Sequence, residues 1–318
     1  MIGFVVRRLL ALIPVALVVG TITFALLHVA PGDPAAVMLG PEATPEQVER
    51  ARERLGLDDP LIVQYPRWLL DLVRLDLGES LFLDRPVTTA IADRIIPTLQ
   101  LTAYALAIAL VIGVPAGVIA AIRQNSVIDR ALMLLATTGT AIADFFLAIL
   151  LVLLFAVTLR WLPSGGYVAI TDSPIGHVKS MILPAAALGL SIAGLPARLI
   201  RASMLDVLHE DYIRAAVARG IPPTAIAMRH ALRNALLPAI TVLGYTLGDL
   251  LGGAVIVETV FNLPGMGQLV VNSIARRDYP VIQGVVMVIA ACYLLANLLV
   301  DLLYLVVDPR IRHSHVGR

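Results

Sequence analysis

Six stretches of this chain run for 18 residues or more with almost no charge, and about 20 residues of α-helix suffice to cross a bilayer. They run from Leu9 to about Val29, Ile95 to Ile122, Ala131 to Leu159, Ser180 to Ala197, Asn234 to Val257 and Tyr279 to Val300. With 58% hydrophobic and 15% charged residues among 318, the chain lies outside the soluble range and reads as an all-α membrane protein. The aromatic share is only 5%, so the apolar content is Leu, Val, Ile and Ala, which packs as helices in lipid. Barrel strands alternate and are much shorter, which disfavours a β-barrel.

Arg7 and Arg8 precede the first run as they would in a secretory signal. The run exceeds a signal core of about 7 to 15 residues and five more follow, so it reads as a retained anchor. Orientation comes from the basic residues. With the N-terminus inside, the inner segments hold Arg7 and Arg8; Arg123 and Arg130; Arg198, Arg201, Arg214, Arg219, Arg229 and Arg233; and Arg310, Arg312 and Arg318. The short outer loops hold Arg160, Lys179, Arg276 and Arg277, and thirteen against four puts both termini in the cytoplasm. The domain reading is an anchor with an extracytoplasmic helical loop over 1–94, a five-span core over 95–308 and a cytoplasmic tail over 309–318. In the first outer loop, Thr44-Pro45-Glu46-Gln47 predicts a capped helix start, with a stop near Leu55 and Gly56 after it. A second helix after Pro60 would present Tyr65, Trp68, Leu69 and Leu72 on one side, lying on the outer membrane face.

Counting removes several enzyme classes. The one lysine, Lys179, is preceded by Val178 and has Ser173 where a Walker loop needs glycine, so the chain has no P-loop of its own. One cysteine, Cys292, excludes a disulfide framework, a Cys-x-x-Cys pair and a thiolate zinc cluster within the chain. His209-Glu210 begins like a zinc protease helix, but position 213 is Ile213. The net charge of +1 argues against nucleic-acid binding. Ser191 lies in the fourth run, yet none of the last five runs holds the His or Lys that an intramembrane serine protease needs. An intramembrane aspartyl protease has Asp144 and Asp249 as its formal pair.

The inner segment 202–233 is too organised for a simple turn. Asp211 is expected to cap a short helix through Arg219, Gly220 to end it left-handed, and Pro222-Pro223 to force a corner. It reads either as a basic loop on anionic headgroups or as a rigid docking helix for a cytosolic partner. In the fifth run, Gly244, Gly248 and Gly252 form a bare stripe that allows close approach, by a packed helix or by a moving substrate. Asp249 beside it and Asp144 in the third run are costly in lipid and should face protein or water. Thr137, Thr138 and Thr140 are local partners for Asp144. Asn297 with Asp301 reads as a structural cap, His28 as interfacial, and His313 with His315 as an incidental pair; no metal site is expected.

The run Asp211-Tyr212-Ile213-Arg214-Ala215-Ala216, then Gly220, then Arg229-His230-Ala231-Leu232-Arg233-Asn234-Ala235-Leu236-Leu237-Pro238 resembles the "EAA" loop of permease subunits of ATP-binding-cassette importers. It is most similar to the B-type subunit of the dipeptide, oligopeptide and nickel branch. Pro31-Gly32-Asp33-Pro34, Leu55-Gly56-Leu57-Asp58, Glu258-Thr259-Val260-Phe261, Pro264-Gly265-Met266-Gly267 and Arg277-Asp278-Tyr279-Pro280 extend the likeness along the chain. The general motif has Glu where Arg214 stands and a shorter glycine-to-proline spacing than from Gly220 to Pro238, both usual in the peptide branch. The family's Gly-Asp-Leu-Gly reads Leu75-Asp76-Leu77-Gly78.

The resemblance implies a six-span type I importer permease fold in a bacterial or archaeal cytoplasmic membrane. It implies a heterodimer with a related permease, two ATPase subunits that hold ATP and Mg, and an extracytoplasmic substrate-binding protein; this chain would bind no cofactor. Asp211, Tyr212, Arg214, Ala215, Ala216, Arg219, Gly220, Pro222 and Thr224 would form the helix seated in the ATPase, with Ala215, Ala216 and Gly220 as its close-packed centre. Asp144, Tyr245, Gly248, Asp249 and Gly252 are the candidate translocation path, and Asn262, Pro264, Gly265, Met266 and Gly267 the candidate outer docking turn. Peptides are the implied substrate, with nickel chelates, glutathione and oligosaccharides carried by related systems. A proton-coupled carrier using Asp144 and Asp249 is the rival reading, although carriers often show matching halves and none is evident here; an intramembrane hydrolase ranks third.

Overall fold

The structure is a computed structural model that describes residues 2–29, 33–40, 43–80, 82–222 and 225–307. Pro31, Gly32, Pro223, Thr224 and the tail 309–318 with His313 and His315 lie outside the described residues. Among those described, Leu10–Val29, Val87–Ile122, Pro174–Leu208 and Tyr279–Leu302 are single helices long and apolar enough to cross a membrane. The run from Asn234 to Val257 falls inside one 29-residue helix, Leu232–Val260.

The third run departs from expectation. It is not one helix but two, Val127–Ala141 and Asp144–Leu151, the second prolonged by a π-helical stretch, Val152–Thr158, and the two arms meet at 105°. Ile142 and Ala143 between them are extended, with ψ of 128° and 139°. The last turn before the break carries hydroxyls that bond back to carbonyls: Thr137 to Met133 O at 2.8 Å, and Thr140 to Thr137 O at 2.9 Å. Such back-bonding bends helices. On the far side, Asp144 occupies the first turn of the new helix, where the macrodipole favours a negative charge.

The chain divides into two compact units, residues 1–97 with 264–294 and residues 98–263 with 295–318. In the first unit, α1 (Ile2–Val29) is covered on one side by α4 (Leu61–Val73). Phe24 meets Tyr65 edge-on at 5.3 Å and Trp68 at 5.8 Å, while Thr21 Oγ1 and Tyr65 Oη share a hydrogen bond of 2.7 Å. Tyr65, Trp68, Leu69 and Leu72 are thus the half-buried side of α4, as their spacing predicts, while Ile62 and Val73 stay exposed. Before it stand α2 (Pro34–Leu39) and α3 (Pro45–Leu55). The α3 start has the full capping box: Thr44 Oγ1 accepts from Gln47 N and Gln47 Oε1 accepts from Thr44 N at 2.8 Å. Gly56 closes the helix at φ 65°, in the left-handed region that glycine enters without strain. A two-residue ribbon, β1 (Glu79–Ser80) against β2 (Arg85–Pro86), then leads into α5 (Val87–Ile122).

The second unit is built on α8 (Pro174–Leu208), which packs on α5, on α6 (Val127–Ala141), on α7 (Asp144–Leu151) and on α10 (Leu232–Val260). Small residues let the backbones touch. A Cβ at Gly113 would lie 2.6 Å from Ala193 O, one at Gly117 2.5 Å from Ala197 O, and one at Gly194 2.0 Å from Ala136 O. Close approach through small residues is how apolar helices gain contact where lipid offers no hydrophobic contrast. Leu101, Met181, Leu188, Leu250, Val257 and Phe261 fill the core between them. Two polar groups are fully enclosed there with partners: Glu258 accepts from Thr98 Oγ1 at 2.5 Å, and His177 lies between Tyr104 and Tyr167. Val168 O accepts from Nδ1 of that imidazole at 2.7 Å, and Nε2 shares a hydrogen bond with the Tyr104 hydroxyl at 3.1 Å.

Candidate functional site

The break after Ala141 turns Asp144 from a mid-helix acid into the head of α7, and this places its carboxylate beside α8 and α10. Thr140 and Ile142 at the break, Asp144, Ser191, Ile192, Leu195 and Arg198 of α8, and Thr246 and Asp249 of α10 line one cavity of about 350 Å³. The cavity brings together the two acids that stand far apart in sequence. It also contains a cation, Arg198, that positive-inside counting alone assigns to the inner basic set. Asp144, Asp249 and Arg198 make no ion pair among the described residues, so their charges face the cavity uncompensated by close partners. Ser191 donates to Leu188 O at 2.8 Å and is buried, which leaves its oxygen lone pairs as an acceptor in the wall. Gly253 provides room for the acid: a Cβ there would lie 2.7 Å from Asp144 Oδ2 and 3.1 Å from Leu188 Cδ2. Thr137 and Thr140 do not serve Asp144; their hydroxyls go to the backbone of α6.

The remaining residues of the candidate path divide. Gly248 is half-buried, and Gly252 is exposed with nothing within 4 Å of an added Cβ, so the close backbone approach of α5 and α6 to α8 runs through Gly113, Gly117, Gly189 and Gly194 rather than through Gly252. Tyr245 lies on α10, and its side chain is outside the described residues. In the candidate docking turn, Asn262 is exposed with φ 50°, Pro264 is half-buried, and Gly265, Met266 and Gly267 are buried, the last two inside α11 (Met266–Arg276). The buried part of the Pro-Gly-Met-Gly run therefore starts a helix rather than forming an exposed tip.

At the end of α8, two residues separate Leu208 from α9 (Asp211–Ala218). The N-cap position belongs to Glu210, whose side chain makes no cap bond, and Asp211 is the first helical residue, 3.5 Å from Arg214. Ile213 and Ala216 are the buried side of α9, packed with Ile226 and against Val207, Leu208 and Ile221. Ala215 and Gly220 are exposed, while Ala216 is buried within the chain. The outer side presents Asp211, Tyr212, Arg214, Ala215, Val217 and Arg219, with Tyr212 Oη accepting from Asn234 Nδ2 at 2.8 Å. Gly220 is left-handed at φ 76°, as expected, and Pro222 is exposed.

One strong polar contact of the region was invisible to sequence reading. Arg201 of α8 donates from Nε to Asp129 Oδ1 at 2.6 Å and from its terminal nitrogen to Oδ2 at 2.8 Å, while Asn125 N also donates to Oδ2 at 2.9 Å. The pair pins the start of α6 to α8 three residues from Arg198. Its partners lie 72 positions apart, and no local pattern marks them. Arg198 had a signal: Ser191, Leu195 and Arg198 follow the i, i+4, i+7 spacing of one helix face. No cluster of three or more His, Cys, Asp or Glu suited to a metal occurs among the described residues.

Residues 113–313 match the family described as binding-protein-dependent transport system inner membrane component, and residues 1–102 match its N-terminal companion. A Brucella abortus protein whose name provisionally makes it a peptide transport system permease is 45% identical over 314 residues, covering 99% of this chain and 100% of that one. The glutathione transport system permease protein GsiC of Escherichia coli K12 is 42% identical over the same shares. Among solved structures, the MetNI methionine ABC transporter has a chain that aligns with a TM-score of 0.56 at 18% identity, over 69% of this chain and 96% of its own, a likeness of fold. With family matches over most of its length and relatives aligned end to end, the chain belongs to the binding-protein-dependent transport system inner membrane components.

Proposed function

We propose that this chain is the channel-forming permease subunit of an ATP-driven peptide importer of the cytoplasmic membrane, with six spans and both termini inside. In this reading it pairs with a related permease, takes substrate from an extracytoplasmic binding protein and is driven by two ATPase subunits that carry ATP and Mg. The observation that carries the proposal is the end-to-end match to relatives named for peptide and glutathione transport. The cavity supports it chemically. A peptide zwitterion offers an ammonium for Asp144 and Asp249 and a carboxylate for Arg198, and charge-assisted hydrogen bonds are the strong kind. Moderate opposite charges on the walls suit a path, since a transported solute must bind well enough to enter and weakly enough to leave.

Movement comes from α8. ATPase closure displaces the exposed face of α9, which α8 carries at its end, and α8 also carries Ser191, Leu195 and Arg198 of the cavity wall. The carrier and hydrolase readings have no counterpart among the named relatives.

The test is purification from native membranes in mild detergent followed by reconstitution. Recovery of two ATPase subunits, a second permease and ATP-dependent dipeptide uptake is expected, with uptake reduced at least ten-fold by Asp249→Asn and Arg198→Gln in fully assembled complexes. A chain that transports alone under a proton gradient, or uptake unaffected by both substitutions, would overturn the reading.

A further inference from the structure

A second pocket, of about 210 Å³, lies in the first unit. Its walls come from the ribbon ahead of α5 (Phe82, Leu83), from the first turns of α5 (Arg94), from α11 (Asn272, Ser273, Arg276) and from Asp278. Two features make it more than a surface dent. Asp278 is 3% exposed, and its Oδ1 has no hydrogen-bond partner among the described residues, while Oδ2 accepts from Ser80 Oγ at 2.5 Å. A buried polar atom left unpaired is costly and calls for an explanation. The second feature is cationic. Arg276 lies over the Phe82 ring at 3.8 Å, and Arg94 donates to Gln268 Oε1 at 3.3 Å. A stacked guanidinium keeps its N–H edge available for a planar acceptor.

We propose that this pocket seats the carboxylate of an Asp or Glu side chain presented by the extracytoplasmic binding protein, held by Arg276, Arg94 and the Asn272 amide. The inference rests on the importer reading, which puts the ribbon before α5 and the turn before Tyr279 on the outer side. Charge decides the occupant: a cationic side chain would meet two arginines, whereas a carboxylate meets two guanidinium groups and an amide. Burial raises the proton affinity of Asp278 against the opposing pull of Ser80 and the Val281 backbone, which lessens its repulsion of an incoming carboxylate. Among the described lining residues, the other charged groups facing it are Arg94 and Arg276.

The experiment uses the assembled importer in lipid nanodiscs with its own binding protein. Arg276→Glu is expected to weaken docking at least ten-fold with subunit stoichiometry unchanged. Arg276→Lys adds a second lysine to a chain whose other one is Lys179. A water-soluble carbodiimide should couple the new ammonium to an acid of the bound binding protein, forming an amide while the reagent takes up the water as a urea, and mass spectrometry locates the acid. Docking indifferent to Arg276→Glu overturns the proposal, as does coupling confined to acids of the importer itself. If the unmodified importer captures neither a binding protein nor ATPase subunits, the importer reading fails instead, so the two failures are distinguishable.

Discussion

Gly194→Ala puts a methyl group where no room exists. The added Cβ would lie 2.0 Å from Ala136 O, 2.8 Å from Ala136 C and 2.8 Å from Thr140 Cγ2. Ordinary contact begins near 3.4 Å, so about 1.4 Å must be found, and the obstacle is the carbonyl of a helix that cannot rotate away without losing its own bond. The helices α6 and α8 therefore have to separate, and overpacking of this kind costs about 1–3 kcal/mol. A full backbone clash belongs at the upper end; replacing a helix-interior Gly with Ala returns about 1 kcal/mol in propensity, leaving a net loss of about 2 kcal/mol. Gly139→Ala is the control. It lies on the same contact, but its Cβ would meet Leu190 O at 3.4 Å, so it gains the propensity without the clash. Reversible unfolding in mixed detergent–SDS micelles should separate the two variants by about 3 kcal/mol, summing the loss at one site and the gain at the other. Because Thr140 and Ser191 flank this contact and line the cavity, uptake should fall for Gly194→Ala and hold for Gly139→Ala. Equal stabilities, within about 0.5 kcal/mol, would refute the close-approach reasoning, since unremarkable sites vary by that much.

Arg201→Met should destabilise by about 3 kcal/mol in the same assay, because it strands the buried Asp129 carboxylate, and adding Asp129→Asn should recover part of the loss; strict additivity would show the pair to be uncoupled. Gly253→Ala pushes a methyl into Asp144 Oδ2, so dipeptide uptake should drop several-fold while assembly persists, and unchanged uptake would remove Asp144 from the path. For Asp278 the native proton affinity is raised by burial, so its contribution to stability is full below about pH 4, the unfolded value, and is lost as pH rises through the raised native pKa. Asp278→Asn should therefore flatten the fall in stability above pH 4; an unchanged slope would assign it to other groups.

Local rules carried the parts of this fold in which a few adjacent residues decide the outcome. Thr44, Pro45, Gln47 and Gly56 specify both ends of α3 between them, and the spacing of Tyr65, Trp68, Leu69 and Leu72 specifies the covered side of α4. The apolar runs mark the long helices because lipid leaves a backbone few alternatives to helix. Apolar content, however, cannot register a break: Ile142 and Ala143 are as hydrophobic as their neighbours, and the 105° turn depends on threonine back-bonding before them and an acid after them. Reading Asp144 as a mid-span acid was the cost of averaging over that window. Asp129 with Arg201, and Asp278 with Ser80, were illegible for another reason. Their partners come from 72 and 198 positions away, and only tertiary packing makes each pair a unit.

The cavity and α9 sit on one helix, and the chemistry of that helix bears on how one could control the other. Pro196 lies inside α8, between Leu195 and Arg198 of the cavity wall, and it cannot donate the backbone bond that would close on the carbonyl of Ile192, another wall residue. A missing bond of this kind makes a point where a helix bends without breaking further contacts. Below it, Arg201 is clamped to Asp129, and the ten steps of helix from Arg198 to Leu208 cover about 15 Å to its end. The stiff lower arm and the weak point are thus placed so that, in the proposed importer, a push on α9 concentrates its deformation at Ile192 to Pro196. That is where the wall would have to change shape for Asp144 and Asp249 to exchange one side of the membrane for the other.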